Sequence, residues 1–299
     1  MDSGLEFRPY VVAYLDILGF KEFVEAAEKN TDKRMALGQL FNEVLPREVS
    51  TEHNNKSFPT GLELRCISVS DSIIISVPVD HNYAQHYPAL IAVSIKAIQI
   101  GHALLEMGLL VRGAIAVGSV YRTDSNIVGT GYQTSVDGEK KAVHPQILLT
   151  ESAIENLNDY LRKGGNGYSI FSRNEEGQAI LDTIYPQHPA YWRNTSGEDF
   201  DSSRYDGETV KRFEMYRDTI ISNLSHRDPR ARGKWIWFAR LFNANVRYFS
   251  QLRNHNLEIE TGLGFTMNYL NPPEENSDWI EKLSRPGVKV TLNDPRCVE

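Results

Sequence analysis

The stretch that decides the fold is Val11-Val12-Ala13-Tyr14-Leu15-Asp16-Ile17-Leu18-Gly19-Phe20. Residues 11–15 are apolar and rich in strand-forming types, the pattern of a strand covered on both faces. Asp16 stands where this strand should end, and residues 21–28 follow a helical pattern. A carboxylate there needs a partner or a metal ion, because desolvating it alone is costly. The turn also brings a helix N-terminus beside it, which favours phosphate binding.

A second aspartate stands at another strand end. Residues 62–70 alternate like a strand, residues 73–77 form an apolar strand pattern, and Asp71-Ser72 lies between them. This pattern predicts a hairpin with Asp71-Ser72 at its tip. Two aspartates placed in this way can hold two divalent cations about 3.5–4 Å apart, as in two-metal phosphoryl-transfer sites. Mg²⁺ or Mn²⁺ fits best, because hard cations prefer oxygen ligands.

Composition limits the class of protein. The chain has 299 residues, 41% of them hydrophobic and 24% charged, with a formal charge of -7. This is an ordinary globular composition, and the negative charge disfavours a nucleic-acid partner. Cys66 and Cys297 form no zinc pattern and the N-terminus has no signal-peptide pattern, so we expect a reduced, cytoplasmic protein. The apolar segment 89–107 includes charged residues, which indicates a core helix rather than a membrane span.

The order of predicted elements is β-α-α-β-β-α-β-β-α-β-α up to residue 162. Strands paired through hairpins, with helices between them, predict an α+β sheet with helices packed on it. Later residues predict two long helices, at about 208–224 and 229–254. We therefore divide the chain into a main domain, residues 1–185, and a C-terminal helical extension, residues 186–299, packed on the domain or on a dimer. The aromatic residues of the last helix indicate packing rather than nucleotide stacking.

Three blocks, in this order, resemble the signature blocks of class III nucleotidyl cyclases. They are the strand ending in Asp16-Ile17-Leu18-Gly19-Phe20, the Ser70-Asp71-Ser72 hairpin and Val111-Arg112-Gly113-Ala114-Ile115. Within that class the chain looks most like the pyrimidine cyclases of Pycsar antiphage systems. The resemblance covers about residues 8–160. It implies that residues 1–185 form a class III cyclase-like catalytic domain with a mixed, mostly antiparallel sheet.

The resemblance also implies a chemistry for the site. Asp16 and Asp71 would bind two Mg²⁺ or Mn²⁺ ions, with the Ile17 carbonyl as a further ligand. The β- and γ-phosphates would be held by the N–H groups of Leu18, Gly19 and Phe20. The site would lie between the two chains of a homodimer, and UTP or CTP would give cyclic UMP or cyclic CMP and pyrophosphate. In the family this product is an antiphage signal that a separate effector senses.

The chain also departs from the family pattern. Purine-specific relatives carry Lys or Glu four residues before the second metal-binding Asp, where this chain has Ile67. Isoleucine offers no hydrogen bond, which favours a pyrimidine base, and Tyr132 is a further base-pocket candidate. Gln133 stands where the family has a ribose-binding Asn, and Asp137 where many members have a transition-state Arg. An acid cannot do that work, so the candidates for the missing positive charge are Arg112, Arg122, Lys140 and Lys141.

Three other interpretations stay open. The chain could be a catalytically degenerate cyclase-like domain that binds nucleotides or a partner, which Asp137 favours and the intact Asp16 and Asp71 disfavour. It could be a nucleotidyltransferase with a palm-type sheet, although the Arg112 block fits that less well and no basic groove is evident. Finally, Asp16 could merely cap the following helix while Asp71 makes a turn.

Overall fold

The computed structural model describes residues 5–58, 60–79, 88–163, 170–186, 202–261 and 268–269. Nine strands lie in this part of the chain: β1 (Arg8–Leu18), β2 (Arg65–Val69), β3 (Ser72–Pro78), β4 (Leu110–Arg122), β5 (Ile127–Val128), β6 (Ile147–Leu149), β7 (Phe171–Arg173), β8 (Ala179–Leu181) and β9 (Asn268–Tyr269).

The helices form the layers around these strands. They are α1 (Phe20–Lys29), α2 (Thr31–Gln39), α3 (Leu45–Val49), α4 (Thr51–Ser57), α5 (Ala89–Glu106), α6 (Thr130–Glu139), α7 (Glu151–Arg162), α8 (Ser202–Leu224), α9 (Pro229–Tyr248) and α10 (Ser250–Arg253). A π-helical turn, Leu40–Val44, joins α2 to α3, and a 3₁₀ turn, Thr60–Leu62, precedes β2.

The strands form one sheet in the order β2-β3-β1-β4-β6-β8-β7-β9, with β5 paired to β4. Every neighbouring pair is antiparallel except β4 and β6, which run parallel. The structure therefore confirms an α+β fold with a mixed, mostly antiparallel sheet and helices packed on it. β1 is held between β3 and β4, so its last residues are fixed from both sides.

Alternate residues of β1 face two different layers, as strand geometry requires. Val11, Ala13, Leu15 and Ile17 are buried in the main core, which α5 covers. The other face carries the even-numbered residues Tyr10, Val12, Tyr14 and Asp16, and the first three belong to a smaller apolar cluster under α6. Asp16 thus lies on the face that α6 covers, and β1 continues for two residues beyond the strand end that the sequence predicts there, because Ile17 and Leu18 still pair with β4.

By length and composition alone, helix α5 is long and apolar enough to cross a membrane. However, 83% of its 18 residues are buried inside the structure. Lys96, at its centre, is fully buried and its Nζ lies 2.8 Å from Glu48 Oε2. This ion pair compensates the charge that the helix brings into the core. The helix packs as the core helix that the sequence predicts.

The C-terminal extension shares the main core. The rings of Phe213 on α8 and Phe242 on α9 are stacked 5.4 Å apart, and both side chains are fully buried. His102 on α5 contacts the Tyr216 hydroxyl on α8 through Nδ1 (2.7 Å) and the Tyr185 carbonyl through Nε2 (3.1 Å). The described part of the extension therefore packs directly on the helix that covers the sheet.

The structure differs from the sequence predictions at element ends. The β2–β3 turn is Ser70-Asp71, one residue earlier than predicted, because Ser70 adopts φ 57° and Val69 pairs with Ser72. Helix α6 ends at Glu139, whereas the sequence pattern predicts a helix over residues 130–143. The helix predicted at 229–254 breaks at Phe249, whose ψ of 124° is extended. Cys297 lies outside the described residues.

Candidate active site

The end of β1 and the β2–β3 turn meet at one edge of the sheet. Asp16 is in register with Ser72 on β3 and with Arg112 on β4. The Ile17 N–H donates a hydrogen bond of 3.0 Å to the Asp71 carbonyl, which fixes the turn against the strand end. The structure thereby brings together the two aspartates that are 55 positions apart in the sequence.

The Asp16 side chain is only 23% exposed. Burial and then the neighbouring Glu139 and Asp71 carboxylates raise the pKa of its carboxyl group, Arg112 and Lys234 act in the opposite direction, and the net result is a pKa of about 6. Three carboxylates and two cationic side chains therefore act on one another here. The cluster carries an excess of negative charge, which a bound cation would relieve.

Two of these groups have no signal in the sequence. Glu139, the last residue of α6, reaches Arg112, and its Oε1 lies 2.5 Å from Nη2. The same Nη2 lies 3.5 Å from Asp16 Oδ2. Lys234 comes from α9, whose Trp237 stacks on His144 with ring centroids 5.1 Å apart. Only the packing of α6 and α9 brings these charges to the end of β1.

The oxygen ligands suit a hard divalent cation. Within the described residues, no three His, Cys, Asp or Glu side chains are grouped so as to hold a metal ion on their own. Asp16, Asp71 and the Ile17 carbonyl would therefore supply only part of a coordination shell. Mg²⁺ normally uses one or two carboxylates and completes its shell with water and substrate phosphate oxygens. The residues present fit a cation that is shared with a polyphosphate.

A helix N-terminus lies next to these carboxylates. Gly19 adopts a left-handed conformation with φ 75°, which permits the sharp turn from β1 into α1. No side chain caps α1 in the described structure, so its first N–H groups are available to an anion. Of the residues predicted to bind phosphate, Gly19 and Phe20 lie at this helix end, whereas Leu18 is the last residue of β1 and pairs with Leu110.

The base-pocket candidates lie on the same face of the sheet as Asp16. Ile67 is in register with Ile74, which is in register with Tyr14. The Tyr14 hydroxyl lies 2.7 Å from Ser72 Oγ, and its ring meets Tyr132 of α6 edge-on at 6.2 Å. Ile67 therefore lies two strands from Tyr14 on the face of the sheet that carries Asp16, and Tyr132 packs on Tyr14 from α6.

Arg122 does not lie where its predicted role, supplying positive charge at the site, would require. Its Nη1 donates hydrogen bonds to the Glu63 and Ser76 carbonyls, at 3.1 and 3.2 Å, and its guanidinium lies 4.9 Å from the Tyr10 ring centroid. Tyr10 is six residues from Asp16, or about 20 Å along the strand. A side chain so far away and so fully bonded stabilises the fold, and it does not supply positive charge beside Asp16.

The outer surface of α6 forms part of a second concave region. Gln133 and Asp137 are exposed there, and Asp137 Oδ1 lies 2.9 Å from Lys140 Nζ. A cavity of about 700 Å³ lies between α6, α7 and the β7–β8 hairpin. Its polar and charged lining includes Thr134, Asp137, Lys141, Glu151, Glu155 and Arg173. Asp137 thus belongs to this cavity, together with Lys141 and Arg173.

Several solved structures match the chain in part. The adenylyl cyclase CyaB from P. aeruginosa matches at 15% identity over 59% of this chain and 94% of that one, with a TM-score of 0.41. The monomeric guanylyl cyclase domain of the RhoGC fusion protein from Blastocladiella emersonii matches at 14% identity over 58% and 94%, with a TM-score of 0.37. A class III adenylyl cyclase-like ATP-binding protein from Pseudomonas aeruginosa matches at 13% identity over 52% and 37%, with a TM-score of 0.38.

No protein-family model matches the chain, and no curated protein matches it. These three structural matches are below 20% identity and below a TM-score of 0.5, so they carry no argument about activity. Any assignment of function therefore depends on the geometry of the site itself.

Proposed function

We propose that this protein is a nucleotide cyclase that converts a pyrimidine nucleoside triphosphate, UTP or CTP, into the 3′,5′-cyclic monophosphate and pyrophosphate. The observation that carries the proposal is the meeting of Asp16 and Asp71 beside the uncapped start of α1. Paired carboxylates suit divalent cations, and free helix N–H groups suit phosphate. The two features together suit a triphosphate.

Each residue at the strand end has a role in this reaction. Asp16, Asp71 and the Ile17 carbonyl would hold two Mg²⁺ or Mn²⁺ ions, which activate the 3′-hydroxyl and neutralise the triphosphate when they are bound. The N–H groups at Gly19 and Phe20 bind phosphate oxygens and orient the α-phosphorus for in-line attack. The O3′–phosphorus bond forms while the bond to the pyrophosphate oxygen breaks, and the proton of the 3′-hydroxyl passes to solvent water.

A pyrimidine base is proposed because of the side chains around Tyr14. Ile67, in register with it through Ile74, offers no hydrogen bond where purine-specific relatives carry Lys or Glu. The edge-on pair of Tyr14 and Tyr132 offers flat apolar surface for a base instead. UTP is the first substrate to test, since cyclic UMP is the product we favour slightly over cyclic CMP.

The proposal includes a homodimer with two sites between the chains. The 700 Å³ cavity carries Lys141 and Arg173, and these cations are separate from the Asp16 cluster of the same chain. A second copy could therefore supply positive charge over the substrate that Asp16 and Asp71 bind. The resemblance of the sequence to the Pycsar pyrimidine cyclases further implies that the product would be an antiphage signal in the cytoplasm, which a separate effector detects.

A second candidate is nucleotide binding without turnover. It is favoured by the ion pair between Asp137 and Lys140, because this acid stands where many cyclases have their transition-state Arg. It is also favoured by the contact of Arg112 with Asp16, which gives the first metal-binding carboxylate a protein partner. The first observation concerns catalysis and the second concerns cation binding, so an activity assay combined with a triphosphate-binding assay separates the two functions.

The assay presents each of four radiolabelled nucleoside triphosphates with Mn²⁺ to the purified protein, and the products are separated by chromatography. We expect cyclic UMP or cyclic CMP and no cyclic purine nucleotide. A cyclic purine product would reject the pyrimidine assignment. Binding of a triphosphate in equilibrium dialysis, with no cyclic product from any of the four, would support the second candidate instead.

A further inference from the structure

We propose that Glu139 is a positioning residue that binds the Arg112 guanidinium and thereby leaves the Asp16 carboxylate available to a divalent cation. The inference rests on the proposed function, since it concerns the same cation site. It assigns a task to a carboxylate that the sequence does not indicate. It also explains how a metal ligand can lie next to an arginine.

The argument begins with one nitrogen atom that faces two carboxylates. Arg112 Nη2 lies 2.5 Å from Glu139 Oε1 and 3.5 Å from Asp16 Oδ2. Its other terminal nitrogen, Nη1, is directed to the Ala142 carbonyl at 3.5 Å. The guanidinium therefore makes its shortest contact with Glu139 of α6, and it donates equally long hydrogen bonds of 3.5 Å to the Ala142 carbonyl and to Asp16 Oδ2. Asp16 makes the longer ion-pair contact.

The close approach of α6 to β4 brings Glu139 to this place. A Cβ atom built on Gly138 would lie 2.6 Å from the Ala114 Cβ and 3.1 Å from Thr150 Cγ2. Only a glycine allows the helix to pack so tightly there. Ala114 and Arg112 are two residues apart on β4 and share one face of the sheet. Glu139, the next residue of the helix, therefore reaches the level of Arg112 and is only 6% exposed.

Charge competition then decides what Asp16 binds. An arginine without another partner forms strong charge-assisted hydrogen bonds to a carboxylate. Such a pair with Asp16 would occupy the oxygens that a cation needs. Because Glu139 neutralises Arg112, a cation that reaches Asp16 has to displace only the longer contact. Loss of Glu139 should therefore weaken cation binding even though it removes no cation ligand.

The test measures Mn²⁺ binding to the full-length protein without nucleotide, from the electron paramagnetic resonance signal of free Mn²⁺. We expect Glu139→Gln to weaken Mn²⁺ binding about tenfold, because Arg112 then pairs with Asp16. The double variant Glu139→Gln with Arg112→Met should recover wild-type affinity, because the competing cation is gone. Glu43→Gln removes an exposed carboxylate from the π-helical turn and should leave binding unchanged.

The outcomes separate this inference from the proposed function. Unchanged Mn²⁺ affinity in Glu139→Gln, or a double variant as weak as the single one, would overturn the inference. If circular dichroism shows that Glu139→Gln does not fold, Arg112→Met alone decides, with tighter Mn²⁺ binding expected and weaker binding contradicting the inference. Mn²⁺ binding to the wild type that Asp16→Asn fails to reduce would reject the cation site itself, and with it the proposed function.

Discussion

At the scale of single residues, Asp16 sits in surroundings that disfavour its charged form. Burial, and then the neighbouring Glu139 and Asp71 carboxylates, raise the pKa of Asp16 to about 6, above the value of an exposed aspartate. Near neutral pH the folded protein therefore carries a carboxylate that would be more stable in the unfolded chain. Residues whose charge costs stability are typical of functional sites.

This argument predicts that Asp16→Asn stabilises the protein. The amide keeps the shape of the side chain and removes the charge, while Arg112 keeps Glu139 as its partner. Thermal unfolding at pH 7.5, without divalent cations, should give a melting temperature at or above that of the wild type. A variant that melts well below the wild type would instead give Asp16 a structural role.

Substitution of Arg122 should destabilise the protein, unlike substitution of Asp16, although the sequence makes Arg122 a candidate for the site. Its guanidinium is bonded to the Glu63 and Ser76 carbonyls and lies against Tyr10. Arg122→Met should lower the free energy of unfolding by about 2–3 kcal/mol, because it leaves these partly buried acceptors without a donor. Urea denaturation measures the loss. Activity per folded molecule should persist, and its disappearance in a protein of unchanged stability would contradict the structural role.

At the scale of the elements, α5 is joined to α8 by the buried contact of His102 with Tyr216 and by an ion pair of 3.4 Å between Glu106 and Arg212. His102 is buried between the Tyr216 hydroxyl and the Tyr185 carbonyl. Burial and, to a smaller extent, the charge of Arg212 lower the pKa of His102 to about 3. The unfolded chain has a pKa of about 6.5 at this residue. Between these two values the unfolded state binds one more proton than the folded state, so stability is lost as the pH falls.

We therefore expect His102 to make the protein sensitive to acid. Its contribution to the free energy of unfolding should fall by about 2 kcal/mol between pH 7 and pH 5. Urea denaturation at the two pH values, in the wild type and in His102→Gln, measures this difference. His102→Gln should be less stable than the wild type at pH 7. Between pH 7 and pH 5 it should lose less stability than the wild type does. An equal loss in both proteins would show that other groups cause the acid sensitivity.

The sequence predicts which strands and turns form. It does not predict their exact ends or the partners of their side chains. The strand that carries Asp16 and the hairpin before Ile73 follow from local patterns of apolar and turn-forming residues, although the strand ends at Leu18 rather than at Asp16. The turn itself is shifted by one residue, because the φ of Ser70 is not encoded in residue type. Glu139 and Lys234 reach the site only through the packing of α6 and α9, and no local pattern records that packing.

At the scale of the whole molecule, the C-terminal extension and the sheet depend on the same core. Phe213, Tyr216 and Phe242 are fully buried between α8, α9 and the rest of the protein. The loss of one such aromatic contact costs about 3–5 kcal/mol, and the total stability of a domain is only about 5–15 kcal/mol. The extension is therefore needed for folding as well as for bringing Lys234 near Asp16.

This dependence predicts that residues 1–186 alone do not fold. The truncated chain would expose the surface of α5 that α8 covers, and it would leave His102 without Tyr216. Expression followed by circular dichroism and thermal unfolding should give insoluble protein or a chain without a cooperative transition. A soluble fragment that unfolds cooperatively would show that the sheet and α5 form an independent domain.

The most direct test of the central claim measures the conversion of UTP and CTP, with Mn²⁺, by the wild type, Asp16→Asn and Asp71→Asn at matched protein concentration. The claim is that these two aspartates act together on the cations that bind the triphosphate. The account predicts a cyclic pyrimidine monophosphate from the wild type and less than about one per cent of that rate from either folded variant. A folded Asp16→Asn or Asp71→Asn protein that keeps wild-type turnover would contradict it.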